Sequence, residues 1–123
     1  MISIENWAEL LSGDYSGWAR PFGGKAREWE DLIGLVKIRA VPRPDNYLDV
    51  AIETIEWGTW FGRFHPGRKV LEGGTGQSGC NFRCRYQERR NNVLFGRRRN
   101  YLTGEIREEG DPVIEFRFFG EWR

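Results

Sequence analysis

The chain has 123 residues and a formal net charge of +1, from 19 basic and 18 acidic side chains. A chain of this length fits one domain over residues 1–123 around one hydrophobic core, and the near-neutral balance excludes a protein that holds a polyanion or an anionic membrane through its overall charge. The sequence contains no run of about 18 apolar residues, which a membrane-spanning helix would need. The first residues also lack the basic and then apolar layout of a secretory signal, so we expect a cytosolic protein with no membrane partner.

A short helix is predicted at the start of the chain. Ser3 is a suitable N-cap, apolar residues recur at helical spacing from Ile4 to Leu11, and Gly13 is suitable for ending the helix. The apolar stripe of so short a helix needs a surface to cover. We expect that surface to be one end of a sheet formed by the rest of the chain.

The rest of the chain is predicted to form strands. Gly, Pro and Asn divide it into segments with strand propensity near residues 15–21, 32–41, 47–57, 59–64, 69–72, 80–88, 93–99, 101–107 and 113–122. Their connections are short and contain no crossover helix, which indicates antiparallel neighbours. Glycines inside the predicted strands, such as Gly62 and Gly104, are typical of bends at barrel corners.

Closing such a meander removes its exposed edges. The sequence therefore predicts an all-β fold, an antiparallel up-and-down β-barrel of about seven to nine strands with a short N-terminal α-helix. A two-sheet β-sandwich is the alternative.

The predicted strand 80–88 has two different faces, because successive side chains point in opposite directions. One face is apolar and contains Cys80, Phe82, Cys84 and Tyr86. The other face is polar and contains Asn81, Arg83, Arg85 and Gln87. The apolar face would make a core and the polar face would make a cationic pocket for an anionic molecule, so the pattern leaves open which face points inward.

Cysteine and histidine usage is sparse. In a strand the Cα atoms of the two cysteines, Cys80 and Cys84, would lie roughly 13 Å apart, which is too far for a disulfide. The chain has a single histidine. We therefore predict no metal site and no cofactor.

The first function that the sequence suggests is the binding of a small molecule in the interior or mouth of the barrel. The predicted apolar walls are Trp57, Trp60, Phe82 and Tyr86. The predicted polar anchors are Arg83, Arg85 and Arg117, with His65 at the rim of the sheet. The aromatic residues also fit plain core packing. No pattern identifies a catalytic group, so enzymatic activity is left open.

The Arg-rich hairpin 83–99 suggests a second function, the binding of nucleic acid or a nucleotide. Guanidinium groups beside aromatic rings suit phosphate contact together with base stacking. The residues predicted for this contact are Arg89, Arg90, Arg97, Arg98 and Arg99. The structural alternative is a solvated outer face whose charges are matched by glutamates on neighbouring strands. A carbohydrate-binding or protein-interaction (inhibitor) module is a third alternative, since flat aromatic faces also stack on sugar rings.

Two segments resemble known families of small barrels. The short helix and first strand from Trp7 to Trp18, followed by a meander that ends in residues 118–123, resemble the layout of lipocalin-like (calycin) barrels. Residues 76–86 are similar to strands of allene oxide cyclase-like barrels. The resemblance implies a ligand cavity in the barrel and, for the second family, cyclisation or isomerisation of a folded polyene ligand. It implies no catalytic residue.

Overall fold

The computed structural model describes residues 2–90 and 96–123. Over these residues, a short helix precedes eight strands. The elements are α1 (Ile4–Leu11), β1 (Gly13–Pro21), β2 (Glu30–Arg43), β3 (Tyr47–Thr54), β4 (Thr59–His65), β5 (Val70–Gly74), β6 (Cys80–Arg90), β7 (Arg98–Glu108) and β8 (Asp111–Gly120), with one 3-10 turn, Ala26–Glu28, between β1 and β2. Each strand pairs antiparallel with the next, and β8 pairs with β1 to close the barrel. The predicted up-and-down barrel with an N-terminal helix is confirmed.

One predicted division between strands is wrong, and the ends of the other strands differ from the predicted ones by up to three residues. The sequence predicts separate strands at 93–99 and 101–107, but β7 runs through Asn100 without a break because Asn100 pairs with Glu88 in the ladder to β6. The predicted turn at Asn91 and Asn92, and residues 93–95 of the predicted strand, lie outside the described residues.

Inward-facing aromatic rings fill the middle of the barrel. Four of the largest buried side chains, each at most 1% exposed, are Trp60, Phe64, Phe116 and Phe118. The Trp60 ring centroid lies 5.2, 5.4 and 5.7 Å from those of Phe82, Phe116 and Phe118. Ring pairs at such distances each stabilise the fold by roughly 0.5–1.5 kcal/mol beyond the burial of area. Rings from β4, β6 and β8 thus form the core.

Glycines stand where neighbouring strands come closest together. A Cβ atom on Gly104 would lie 2.0 Å from the carbonyl oxygen of Arg83, and one on Gly62 would lie 2.4 Å from the carbonyl oxygen of Glu72. Both distances are far below van der Waals contact, so only glycine permits this approach of the strands. The close approach bends the sheet around the rings that fill it.

Helix α1 closes one end of the barrel. Ser3 caps it, because its hydroxyl oxygen accepts a hydrogen bond from the Asn6 amide at 3.2 Å. The buried Trp7 ring packs 5.0 Å from Phe64 and 5.1 Å from Tyr86, measured between ring centroids. The predicted apolar stripe therefore covers the end of the sheet, as expected.

Asn100 joins this helix to the barrel wall. Its side chain is 4% exposed; its amide NH₂ donates to the Leu10 carbonyl and to the Tyr15 hydroxyl, and its amide oxygen accepts from the Tyr86 hydroxyl at 3.0 Å. The Tyr15 hydroxyl in turn donates to the Leu11 carbonyl at 2.7 Å. These bonds satisfy carbonyl groups of the last helical turn, which have no partner within the helix. One buried amide therefore links α1 to β1, β6 and β7.

We expect the Asn100→Leu substitution to lower the free energy of unfolding by about 2–4 kcal/mol, because it leaves several buried polar groups without their partner. Denaturant unfolding measures the change. Tyr86→Phe is the matched control, since it removes one hydroxyl and should cost only about 1 kcal/mol. An unchanged denaturation midpoint for Asn100→Leu would contradict this account of the network.

We also expect stability to fall at high pH through the same tyrosines. Burial raises the pKa of Tyr15 and of Tyr86 to about 12, whereas in the unfolded chain both should ionise near their ordinary pKa of about 10. The contribution of the two neutral hydroxyl groups to the free energy of unfolding is therefore complete below about pH 10 and is lost as the pH rises towards 12. The measurement is the free energy of unfolding against pH. In the double variant Tyr15→Phe with Tyr86→Phe, the free energy of unfolding should decline less steeply above about pH 10. An equally steep decline in this variant and in the unmodified protein would show that the two tyrosines do not cause it.

Candidate functional site

A cavity of about 320 Å³ lies at the open end of the barrel, opposite α1. We call it the mouth cavity. Its apolar wall is formed by Trp57, Trp60, Ile106 and Ile114. Its polar lining includes Glu56, Gln77, Cys80 and Glu108. Trp57 and Trp60, two of the predicted apolar walls, thus meet at one concave site.

The connection between β3 and β4 holds the two tryptophans in place. The Thr54 hydroxyl accepts a hydrogen bond from the Trp57 amide at 2.9 Å and donates one to the Gly58 carbonyl at 2.7 Å. Gly58 has φ +75°, a left-handed conformation that suits glycine. The Trp60 indole N–H donates to the Trp57 carbonyl at 3.3 Å, and the ring centroids are 6.4 Å apart. A tight turn therefore places the partly buried Trp57 over the fully buried Trp60.

The open end of the barrel is acidic. The connections at this end and the strand residues directly next to them contain six carboxylates and two basic side chains, Lys25 and Arg27; a third basic side chain, Arg107, reaches the β7–β8 turn and donates to the Gly110 carbonyl. Among the described residues, Glu56 and Glu108 have no basic group within 4.0 Å. Two carboxylates without ion-pair partners therefore line the mouth cavity.

The structure answers the question of which face of strand 80–88 points inward. Phe82, Cys84 and Tyr86 are buried, whereas Arg83 and Arg85 are exposed on the outside. The arginines predicted as polar anchors are therefore outside the barrel. Phe82 and Tyr86 lie in the aromatic core, where they pack against Trp60 and Trp7.

The outward side chains of β6, β7 and β8 form a surface rich in arginine, which we call the arginine face. Its arginines include Arg83, Arg85 and Arg89 on β6, Arg99 on β7 and Arg117 on β8, together with Arg107 on β7, which is paired with Glu105. A groove of about 480 Å³ crosses it, lined also by Arg20, Phe22 and Trp29 and by the carboxylates of Glu105 and Glu115. The groove is open to solvent and contains both charged and aromatic side chains.

Guanidinium groups and aromatic rings are stacked on the arginine face. Four contacts lie between 4.0 and 4.5 Å from guanidinium carbon to ring centroid, namely Arg117 on Trp29, Arg89 on Tyr101, Arg20 on Trp29 and Arg99 on Phe119. Arg99 also lies 4.7 Å from the ring of Trp122. At such distances the ring and the guanidinium group attract each other, which restrains the arginine side chains.

Three donors on or beside this face have no acceptor. They are the Nε–H groups of Arg99 and Arg117 and the indole N–H of Trp29, all of them buried and without a hydrogen bond to any described residue. A buried donor without an acceptor costs about 1–3 kcal/mol. The arginine face is therefore incompletely satisfied in the free protein.

The other predicted site residues are spread over the surface. His65 ends β4 at the helix end of the barrel, with its Nε2 atom 3.6 Å from a Glu72 carboxylate oxygen. Arg98 forms an ion pair with Glu88 at 3.1 Å. Arg90 and Arg97 are exposed. None of these four lines the mouth cavity within the described ranges 2–90 and 96–123.

Several residues of both surfaces cannot be predicted from the sequence. Glu56 and Glu108 are far apart in the chain, and Arg20 and Trp29 reach the arginine face only because β1 pairs with β8. The pairing sets Trp18 beside Arg117 and Arg20 beside Glu115. A local sequence pattern contains no information about such contacts.

Comparison with known proteins gives no match: no family model, curated protein or solved structure is similar to this chain. Among residues 2–90 and 96–123, no group of three or more His, Cys, Asp or Glu side chains could hold a metal ion. The described helices include none that is long and apolar enough to cross a membrane.

We expect the two thiols to differ in reactivity. Cys84 is 1% exposed, and burial raises the pKa of its thiol well above the usual value, whereas Cys80 is partly exposed at the mouth cavity. The rate at which a thiol reacts with a disulfide reagent depends on its thiolate fraction and on its exposure to solvent. An aromatic disulfide reagent should therefore label one thiol in the folded protein and both thiols in denaturant. Cys80→Ser should abolish the native reaction and Cys84→Ser should preserve it. Rapid labelling of folded Cys80→Ser would contradict the inward orientation of Cys84.

Proposed function

We propose that the protein binds a small organic cation in the mouth cavity. The observation that carries the proposal is the combination of Trp57 and Trp60 with the unpaired carboxylates of Glu56 and Glu108 around one concave site. Concave sites with mostly apolar walls and a few convergent polar groups are the usual form of small-molecule sites.

The size of the cavity supports a small ligand. A volume of about 320 Å³ is at the lower end of the range for small-molecule sites, about 300–1,000 Å³. The interior below it is occupied by the rings packed on Trp60. A ligand would therefore occupy the mouth and contact the partly buried Trp57 rather than enter the barrel deeply.

The charges around the cavity support a cation. An ammonium group beside Glu56 and Glu108 would supply the ion-pair partner that both exposed carboxylates lack. The electron-rich face of a tryptophan ring also attracts cations. An anion would instead meet two carboxylates, and the arginines predicted as its anchors are on the outer surface.

The resemblance to lipocalin-like and allene oxide cyclase-like barrels is consistent with a barrel that holds a ligand. Membership of either family, and cyclisation of a polyene ligand, stay predictions of that resemblance. The carbohydrate-binding and inhibitor alternatives stay predictions as well.

Phenethylammonium tests the proposal, with phenylpropionate as a probe of nearly the same shape and opposite charge. We expect saturable shifts of the Trp57 indole N–H in the NMR spectrum with phenethylammonium and much smaller shifts with phenylpropionate. The double variant Glu56→Gln with Glu108→Gln should weaken phenethylammonium binding about tenfold, which corresponds to about 1.4 kcal/mol.

Glu109→Gln is the matched control, because Glu109 is a carboxylate in the β7–β8 turn that does not line the cavity. It should leave the affinity nearly unchanged. Equal binding of both probes, unaltered binding by the Glu56→Gln and Glu108→Gln double variant, or no binding of either probe would each overturn the proposal.

A further inference from the structure

We infer that the arginine face binds single-stranded nucleic acid, a function separate from the mouth cavity. Five outward arginines, Arg83, Arg85, Arg89, Arg99 and Arg117, are grouped on three neighbouring strands. The chain as a whole carries a net charge of only +1. A polyanion would therefore be attracted to this surface by local rather than overall charge.

Most of these arginines have no ionic partner. In the part of the chain that the structure describes, no carboxylate lies within 4.0 Å of a guanidinium nitrogen of Arg85, Arg89, Arg99 or Arg117. Arg89 and Arg99 are directly opposite each other in the β6–β7 ladder, where like charges repel. Burial, and after it the charge of Arg89, lowers the pKa of Arg99. A phosphate placed between the two side chains would remove this repulsion.

The outer face of the opposite wall is different. Arg39 on β2 pairs with Glu53, and Arg63 on β4 lies 3.8 Å from Asp49. There the positive charges are matched by carboxylates on a neighbouring strand, which is ordinary sheet stabilisation. The two walls therefore differ in degree: Arg39 and Arg63 both have a carboxylate partner, whereas on the arginine face Arg83 is paired with Glu72 and Arg107 with Glu105, and the other four arginines have no such partner among the described residues.

The aromatic rings of the arginine face favour single strands over duplexes. Rings of Trp29, Phe119 and Trp122 are interleaved with the guanidinium groups; Trp122 is 38% exposed, whereas the ring of Tyr101 is buried beneath Arg89. Unpaired bases can stack on aromatic rings and on guanidinium planes, whereas the bases of a duplex are already stacked on each other. A surface that used charge alone would have no need of rings at these positions.

The length of the face suits several nucleotides. Arg83 and Arg89 are six residues apart on β6, a span of about 20 Å at about 3.3 Å per residue. The groove with Arg20 and Trp29 extends the surface sideways onto β1. A mononucleotide would contact only part of this surface, so we assign it to a polymer.

The test measures the fluorescence anisotropy of a labelled oligodeoxythymidylate at a series of salt concentrations. We expect the single strand to bind more tightly than the same strand in a duplex, with an affinity that falls as salt rises. The double variant Arg85→Ala with Arg89→Ala should weaken binding about tenfold or more and should reduce the salt slope by about 1.4, since each lost contact with a single strand accounts for about 0.7. Both side chains are exposed, so the barrel should fold normally.

The matched control is Arg39→Ala with Arg63→Ala, which removes the same number of exposed arginines from the opposite wall. It should change the affinity less than twofold. Trp122→Ala should weaken binding severalfold with an unchanged salt slope, because it removes stacking but no charge. The Glu56→Gln and Glu108→Gln double variant should bind the strand as the unmodified protein does, which separates this inference from the proposed small-molecule site.

Four results would overturn the inference. They are an absence of binding at low salt, equal losses in the two arginine double variants, binding of the duplex as tight as that of the single strand, and displacement of the strand by polyglutamate at equal charge concentration. The last result would identify an acidic protein surface as the partner.

Discussion

The width of the barrel is the constraint on which the rest of the molecule depends. Eight strands enclose a space that side chains can fill, and here Trp60, Phe82, Phe116 and Phe118 fill it with rings in mutual contact. The backbone can curve tightly around these rings because glycine stands at the closest strand contacts. Since the centre is occupied, chemistry can take place only where the barrel ends or on its outer wall, and the two candidate surfaces are found there.

The two surfaces carry opposite charges, which a net charge of +1 conceals. Carboxylates are grouped at the open end, where Glu56 and Glu108 line one cavity with Trp57 and Trp60. Guanidinium groups collect on the wall formed by β6, β7 and β8. Helix α1 and the buried amide of Asn100 close the remaining end. The molecule is thus divided into a sealed end, an acidic mouth and a basic wall, and each can be altered by substitution with little effect on the others.

Local patterns in the sequence were sufficient to predict the fold but not to predict which residues form the two candidate sites. Short connections and alternating side chains predict antiparallel closure, and the apolar stripe of α1 predicts what the helix covers. The alternation in 80–88 places Arg83 and Arg85 on one face and Phe82 and Cys84 on the other. It does not determine which face points into the barrel, because that depends on the side chains that the other strands place inside. Asn is a residue type that often ends a strand, yet Asn100 lies within β7, where its side-chain NH₂ donates to the Leu10 carbonyl of helix α1. Contacts such as Arg20 with Glu115 join residues 95 positions apart, and only the register of β1 on β8 produces them.

The seam between β1 and β8 also has a consequence for how the chain reaches this shape. Tyr15 pairs with Gly120 and Pro21 with Ile114, so β1 keeps one hydrogen-bonding edge vacant until β8 has been synthesised. Pairings between such distant segments are slow to form, and a vacant edge invites association with other chains. A barrel closed by its first and last strands therefore acquires its protection from aggregation in one late step, and a newly made chain is at its most vulnerable just before that step.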